Sequence, residues 1–406
     1  MKEKKRKINK KRYQKTAFSC LHSITNLGGN KMKSFTDFDL SNQILKSIQD
    51  KDFEEPTEIQ EKAIPHIIEG RDVIAGSATG SGKTLAFAAG IVENVKPEVG
   101  EIQGLVLAPT RELAKQVSRA IDDFSRHHEY NIATIHGGVA YEPQYRAIKK
   151  AEVVVATPGR LLDLVGKGRI DLSGVNTFVL DEADRMLDMG FIDDVEDIIK
   201  ETPSDKQTIF TSATIRGEVM RLAERYMNNP VDVFAEKRVD PNKLEQIYYD
   251  IPGHLKLSLL VHLIKEEETD LSMVFCNTRR TVEFVERNLK NQGIRAQAIH
   301  GGFSQKQRDK AMEKFEAGNV DVLVCTDVAA RGLDIDGISH IYNYDIPNDS
   351  KQYMHRIGRT ARAGEEGKAV NILAKDQHDD FRRVLRDNSV KVEKGETPYV
   401  KKVKIN

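Results

Sequence analysis

From Phe35 to about Ala235, short runs of aliphatic and β-branched residues alternate with stretches of helical periodicity. The runs fall at Asp72–Ala75, Leu105–Ala108, Ile132–His136, Val153–Ala156, Phe178–Leu180, Thr208–Phe210 and Val231–Phe234. A strand with no polar face must be covered on both sides, so this rhythm dictates a parallel sheet between two layers of helices. It resumes at Gln246–Ile251, Met273–Cys276, Ala296–His300, Asp321–Cys325, His340–Tyr344 and Ala369–Leu373. Residues 236–242, between the two stretches, are charged, contain a proline and carry no apolar pattern, as a linker does. With 406 residues the chain exceeds one ordinary core. The expected fold class is α/β: two tandem units, 34–235 and 243–406, each a mostly parallel sheet covered by helices.

The halves echo each other. Val106-Leu107-Ala108-Pro109-Thr110-Arg111 matches Val274-Phe275-Cys276-Asn277-Thr278-Arg279, and His136-Gly137-Gly138 matches His300-Gly301-Gly302. Val154-Val155-Ala156-Thr157 matches Leu323-Val324-Cys325-Thr326 in the same order. Matches in register point to two copies of one unit.

Charge is zero in sum and uneven in place. Residues 1–33 hold 11 Lys/Arg and one acid, which reads as a disordered basic tail; the remaining 51 basic and 61 acidic residues give the body an acidic balance. A polyanion bound by that body needs a local basic groove. Met32 directly precedes the periodic sequence, and translation starting there is the alternative to a translated tail. No apolar run reaches the roughly 18–20 residues of a spanning helix. No secretory signal is evident, and Cys20, Cys276 and Cys325 lack metal-ligand spacing, so a cytoplasmic protein with reduced thiols is expected.

Only the first half carries a phosphate-loop string, Ser77-Ala78-Thr79-Gly80-Ser81-Gly82-Lys83-Thr84, between a strand and a helix. Glycines there let backbone N–H groups approach phosphates, Lys83 neutralises the β/γ oxygens, and the Thr84 hydroxyl takes Mg²⁺. Asp181 and Glu182 close a later strand at the same sheet edge, Asp181 for magnesium and Glu182 to polarise the attacking water. Asp184 has a second reading, as a cap of the helix that follows. In the second half, Arg359 and Arg362 stand three apart, expected on one helical face and within reach of a shared anion. An arginine supplied across a cleft is worth about 10³–10⁵ in rate, which would make hydrolysis conditional on closure.

These strings together resemble the DEAD-box RNA helicases of helicase superfamily 2, from about Phe35 to about Lys375. The resemblance rests on Thr79 to Thr84, Pro109 to Ala114, Thr157-Pro158-Gly159-Arg160, Asp181-Glu182-Ala183-Asp184 and Ser212-Ala213-Thr214. Thr326 to Asp334 and His355 to Arg362 complete it. It implies two RecA-like domains binding ATP and Mg²⁺, with adenine read by Gln60 in the segment opened by Phe53. Phe35 would stack on the base, Gly332 and Asp334 would lie at the ribose, and Arg359 and Arg362 would be arginine fingers. RNA contacts are implied at Pro109, Thr110, Arg111, Gly137, Gly138, Thr157, Gly159 and Arg160. In the second domain they fall at Asn277, Thr278, Gly301, Gly302, Arg308 and Thr326. Ser212 and Thr214 would couple nucleotide state to unwinding, together with Asp184 and His355. Small residues and hydroxyls suit phosphates and sugars, so sequence-independent RNA binding is expected. The resemblance further implies a monomer acting with ribonucleoprotein or ribosome-assembly partners. An ATP-gated RNA clamp is the alternative to a helicase.

Overall fold

The computed structural model describes residues 34–404, except 78–79, 98–99, 214, 216, 236–243, 268, 270, 331–334, 336, 362–365 and 387–390. The tail and the linker expected from the sequence lie outside the described residues, as do Ala78, Thr79, Thr214, Gly332, Asp334, Arg362 and Cys20.

Both halves form a parallel sheet of seven strands. The first contains β1 (Val73–Gly76), β2 (Gly104–Leu107), β3 (Asn131–Ile135), β4 (Ala151–Ala156), β5 (Thr177–Leu180), β6 (Gln207–Ser212) and β7 (Val231–Phe234). The second contains β8 (Leu244–Asp250), β9 (Leu271–Phe275), β10 (Ala296–Ile299), β11 (Val322–Cys325), β12 (Ile338–Asn343), β13 (Gly367–Leu373) and β14 (Glu393–Lys394). Their orders, β3-β4-β2-β5-β6-β1-β7 and β10-β11-β9-β12-β13-β8-β14, are the same order shifted by seven strands. The matched strings therefore occupy equivalent places, β2 with β9, β3 with β10 and β4 with β11.

Each sheet is buried on both faces. Val106 points into a core with the helices Glu58–Ile68, Lys83–Asn94 and Arg111–Phe124, and Leu105 and Leu107 point into the opposite core. That two-sided burial is why the central strands read as continuous apolar runs. Cys276 and Cys325 are buried thiols on opposite faces of the second sheet. Burial pushes both above the ordinary thiol range.

Strand limits differ from the sequence reading by one or two residues, and β14 was not foreseen. Glu393 and Lys394 are exposed at a sheet edge, where no apolar pattern is demanded. The segment after them stays on the second unit: Gly395 N donates to Tyr248 O (2.9 Å) and Val403 N to Ser258 Oγ (3.1 Å).

The topological match extends to two charged residues. Lys83 opens the helix after β1, and Lys256 opens the helix after the equivalent strand β8; both are buried. Asp181 follows β5, and Asp345 lies just past the equivalent β12. Lys256 donates to Gln377 Oε1 (2.9 Å), stands 3.8 Å from an Asp345 oxygen and lies 4.8 Å over the Tyr344 ring. Pro252–Leu255 replaces the longer glycine-rich loop.

Candidate nucleotide cleft and nucleic-acid face

The phosphate-loop string leaves β1 at Gly76, and Ser77 N donates to Ser212 O (3.1 Å) at the end of neighbouring β6. Gly80 and Gly82 adopt φ of 77° and 90°, left-handed values that side chains resist. A Cβ on Gly82 would also come within 2.4 Å of Gln60 Nε2. Gln60 is buried and bifunctional: its Oε1 accepts from Thr57 N (2.9 Å) and its Nε2 donates to Gly82 O (3.0 Å). Thr57 Oγ1 donates to Ser81 O (2.8 Å), and the Ser77 and Ser81 hydroxyls are 2.6 Å apart. Lys83 Nζ donates to Ser77 O (2.7 Å), with half-buried Thr84 next along the helix. The loop is thus tied to the Gln60 helix. Phe35 is buried edge-on to Phe38, whereas Phe53 is exposed beside Phe124.

Asp181 and Glu182 stand at the C-terminal end of β5, with Asp181 N held by Leu107 O (2.9 Å). The Asp181 carboxyl is buried, which raises it to about 6; the neighbouring Glu182 charge adds to this, against the Thr211 hydroxyl and Lys83. Glu182 holds a left-handed backbone (φ 51°, ψ 51°), an uncommon conformation for this residue type. One hydroxyl serves both acids: Thr211 Oγ1 donates to Asp181 and accepts from Glu182 N (3.1 Å). Glu182 also pairs with Arg185. Asp184 does not cap its helix, Ala183–Asp188. It sits inside the first turn, where its Oδ1 accepts from Arg185 N (3.1 Å).

Across the cleft, the helix Ser350–Ile357 starts at Asp349, which accepts from Gln352 N (2.7 Å), and ends at Gly358. The expectation of Arg359 and Arg362 on one helical face is therefore corrected. Arg359 lies beyond the last turn and Ala361 takes φ 53°, so the helix does not run on through these positions, and Arg362 lies outside the described residues. Arg359 is buried, and a narrow cavity lined by Arg185, Phe275, Gln352, His355 and Arg359 joins the two units. His355 is pushed down to about 4 by burial, then by Arg185 and Arg359, with Asp184 opposing and Lys351 assisting. Lys351 pairs with Asp188.

Arg356, quoted in the motif but given no role, is the hub of the second unit. It donates to both Asp327 carboxylate oxygens (2.7 and 2.6 Å), Asn343 Oδ1 (3.0 Å), Asp345 O (2.6 Å) and Asn277 Oδ1 (2.9 Å). Asn277 Nδ2 in turn donates to Ile346 O (2.9 Å), so its amide is spent inside the unit.

The expected RNA-contact residues stand at or just past strand ends of both sheets, except Arg308, which lies in the helix Gln305–Glu316. Thr110 and Thr278 are N-caps of equivalent helices, accepting from Leu113 N (3.2 Å) and Thr281 N (3.1 Å). Arg111 lies against Gly137 and Gly138, whose built Cβ atoms would come 3.2 and 2.2 Å from its nitrogens; Arg279 lies the same way against Gly301, at 3.1 Å. Thr157 and Gly159 flank buried Pro158, Arg160 donates to Val139 O (3.2 Å), and Pro109 and Thr326 are buried at strand ends. Arg308 turns toward the first unit and pairs with Glu112 (3.1 Å). Beside it Arg111 donates to Gln305 Oε1 (3.2 Å) and Lys115 to Asp309 (3.0 Å). Sequence reasoning missed Thr211, Gln305 and the Lys115–Asp309 pair; contacts between distant segments leave no local spacing to detect.

A phosphate loop and two carboxylates on one parallel sheet, faced by an arginine just past a helix of a second, define a tandem RecA-like nucleotide hydrolase. Residues 57–222 match the DEAD/DEAH box helicase family model, and residues 255–364 match the helicase conserved C-terminal domain. The chain is 41% identical to the DEAD-box ATP-dependent RNA helicase CshA of Bacillus subtilis, over 90% of this chain and 74% of that one. It superposes on Dbp5 of S. cerevisiae bound to RNA and ADP BeF3 with a TM-score of 0.82 and 31% identity, covering 90% and 96% of the two chains. Against a Dbp5 variant bound to Nup159, Gle1, IP6 and ADP the score is 0.65 at 29% identity, covering 87% and 95%. The chain belongs to the DEAD-box ATP-dependent RNA helicases.

Proposed function

We propose that this chain hydrolyses ATP in response to RNA and uses closure of residues 34–235 against 243–406 to separate short RNA duplexes. The observation that carries this reading is a divided site. Lys83, Asp181 and Glu182 belong to the first sheet, while Arg359 and His355 come from the second and meet Asp184 and Arg185 across the cleft. The likeness to Dbp5 bound to RNA and ADP BeF3 supports RNA and a nucleotide as the ligands.

In this reading Ser77 to Gly82 cradle the phosphates and Lys83 exchanges Ser77 O for a phosphate oxygen. Gln60 reads adenine with the amide that now ties Thr57 to Gly82, and Phe35 and Phe53 flank the base. Gly332 and Asp334 take the ribose. Glu182, poised by Thr211, accepts a proton from the attacking water, and Arg359 and Arg362 stabilise charge on the γ-phosphate. Thr84 and Asp181 would hold Mg²⁺: a buried carboxyl raised to about 6 gains strongly from an adjacent cation. When bound, it would neutralise phosphate oxygens. Ser212, Thr214, Asp184 and His355 relay closure, and the strand-end residues named above hold RNA phosphates and sugars.

Among the described residues no helix is long and apolar enough to cross a membrane; the proposal further takes the chain as a cytoplasmic monomer serving ribonucleoprotein or ribosome assembly. The test is an ATPase titration with RNA. The rate should rise and saturate, and Glu182→Gln should retain ATP and RNA binding while turning over at least ~10²-fold more slowly. A rate that stays flat as RNA is added would refute the proposal.

A further inference from the structure

Tyr141 stands exposed just past the Gly137-Gly138 turn, and two cations hold it. Arg160 Cζ lies 4.2 Å from its ring centroid and Lys167 Nζ 4.3 Å. Lys167 Nζ also donates to the Tyr141 hydroxyl (3.2 Å). Tyr145, on the next turn, has its ring 5.8 Å from that of Tyr141 and carries Arg169 at 5.3 Å. Arg160 is fixed a second way, by both terminal nitrogens donating to Val139 O (3.2 and 3.3 Å).

The line continues inward, because Val139 follows Gly138, on which the Arg111 guanidinium rests. Arg111, Arg160, Lys167 and Arg169 therefore succeed one another along one edge of the first unit. The setting is acid-rich, yet residues 139–169 also contribute the exposed cations Arg146, Lys149 and Lys150. Against them stand exposed Glu142 and half-buried Asp163, the latter paired with Lys167 (2.7 Å); Glu152 is buried and accepts from Asn131 N (2.7 Å). Asp194, beside Gly159, marks the rim. As mere staples, exposed cation–aromatic pairs contribute little to stability. A guanidinium stacked on a ring keeps a second planar face, and that face suits a nucleobase.

We propose that Lys167 and Arg169, continuing outward from the cleft residue Arg160 and ordered by Tyr141 and Tyr145, form an outer RNA track on which the strand leaving the cleft lays its phosphates and stacks a base. This rests on the RNA-helicase reading and extends it to a site that prolongs binding beyond the cleft. It predicts that affinity grows with strand length at one end only.

The experiment measures fluorescence anisotropy of labelled RNA with a non-hydrolysable ATP analogue. It compares a strand just filling the cleft with the same strand extended by about 10 nucleotides at the 5′ or the 3′ end. Wild-type protein should gain about tenfold in affinity from one of the extensions. Lys167→Glu with Arg169→Glu should abolish that gain and lower the salt slope by about 1.4, since a single-strand phosphate contact contributes about 0.7. Tyr141→Leu, which keeps every charge, should lose part of the gain. Three results would overturn the track: no gain in wild type, an undiminished gain in the double variant, or polyglutamate competing as well as RNA. Wild-type protein binding neither strand would instead bring down the helicase reading itself, and the track with it.

Discussion

One hydroxyl, that of Thr211, sets the geometry of both acidic residues, since it gives its proton to Asp181 and receives the N–H of strained Glu182. Thr211→Val keeps the shape and removes both bonds, leaving a backbone donor unpaired at a cost of about 1–3 kcal/mol. Calorimetry should show a lower Tm, and turnover should fall about tenfold or more; Thr211→Ser should restore both. The strings in the sequence located Lys83, Asp181 and Glu182 because glycines beside a lysine, and acids at a strand end, are local patterns. Thr211 and Arg356 were legible as residues only. Their importance lies in partners 30 residues away for Thr211, and from 11 to 79 away for Arg356.

At the level of elements, the helix Ser350–Ile357 leans on the helix Ala183–Asp188 through His355 and Lys351. Packed here, His355 is pushed down to about 4, first by burial; separation of the units removes Arg185 and part of that burial and moves it back toward its ordinary 6.5. Between those values the separated helices hold more protons than the packed ones, so acidification must favour separation. Burial sets the direction first; Arg185, Arg359 and Lys351 then repel a second cation, and among the described residues Asp184 offsets them. A distance probe across the cleft, read without nucleotide, should report opening as pH falls from about 6.5 toward 5 and no change above 7. His355→Gln should flatten the response. Sequence periodicity found both helices but extended the second through Arg362. The stop at Gly358 and the turn at Ala361 carried no signal that outweighed the motif.

For the molecule as a whole, the units meet through charged side chains rather than a shared core, as Glu112–Arg308 and Lys115–Asp309 show. Glu112 and Arg308 are largely screened from water, with side-chain exposures of 10% and 18%, so their attraction is stronger than that of a surface pair. Glu112→Arg or Arg308→Glu alone should weaken RNA-stimulated turnover about tenfold, the equivalent of ~1.4 kcal/mol. Carrying both exchanges should recover much of the loss, which steady-state kinetics would read directly. The alternation of strands and the matched strings make the doubled architecture legible in the sequence alone, although only the shared strand order shows how far the equivalence runs.

It runs as far as Lys256 and Asp345, the counterparts of Lys83 and Asp181. In the second unit the loop between strand and helix has shrunk, and the cation spends its charge on Gln377, Asp345 and the Tyr344 ring. What is a socket in one half is a plug in the other. On the proposed function, a machine built this way would hold a single fuel molecule per cycle, with its second half a sensor whose own socket is sealed from within.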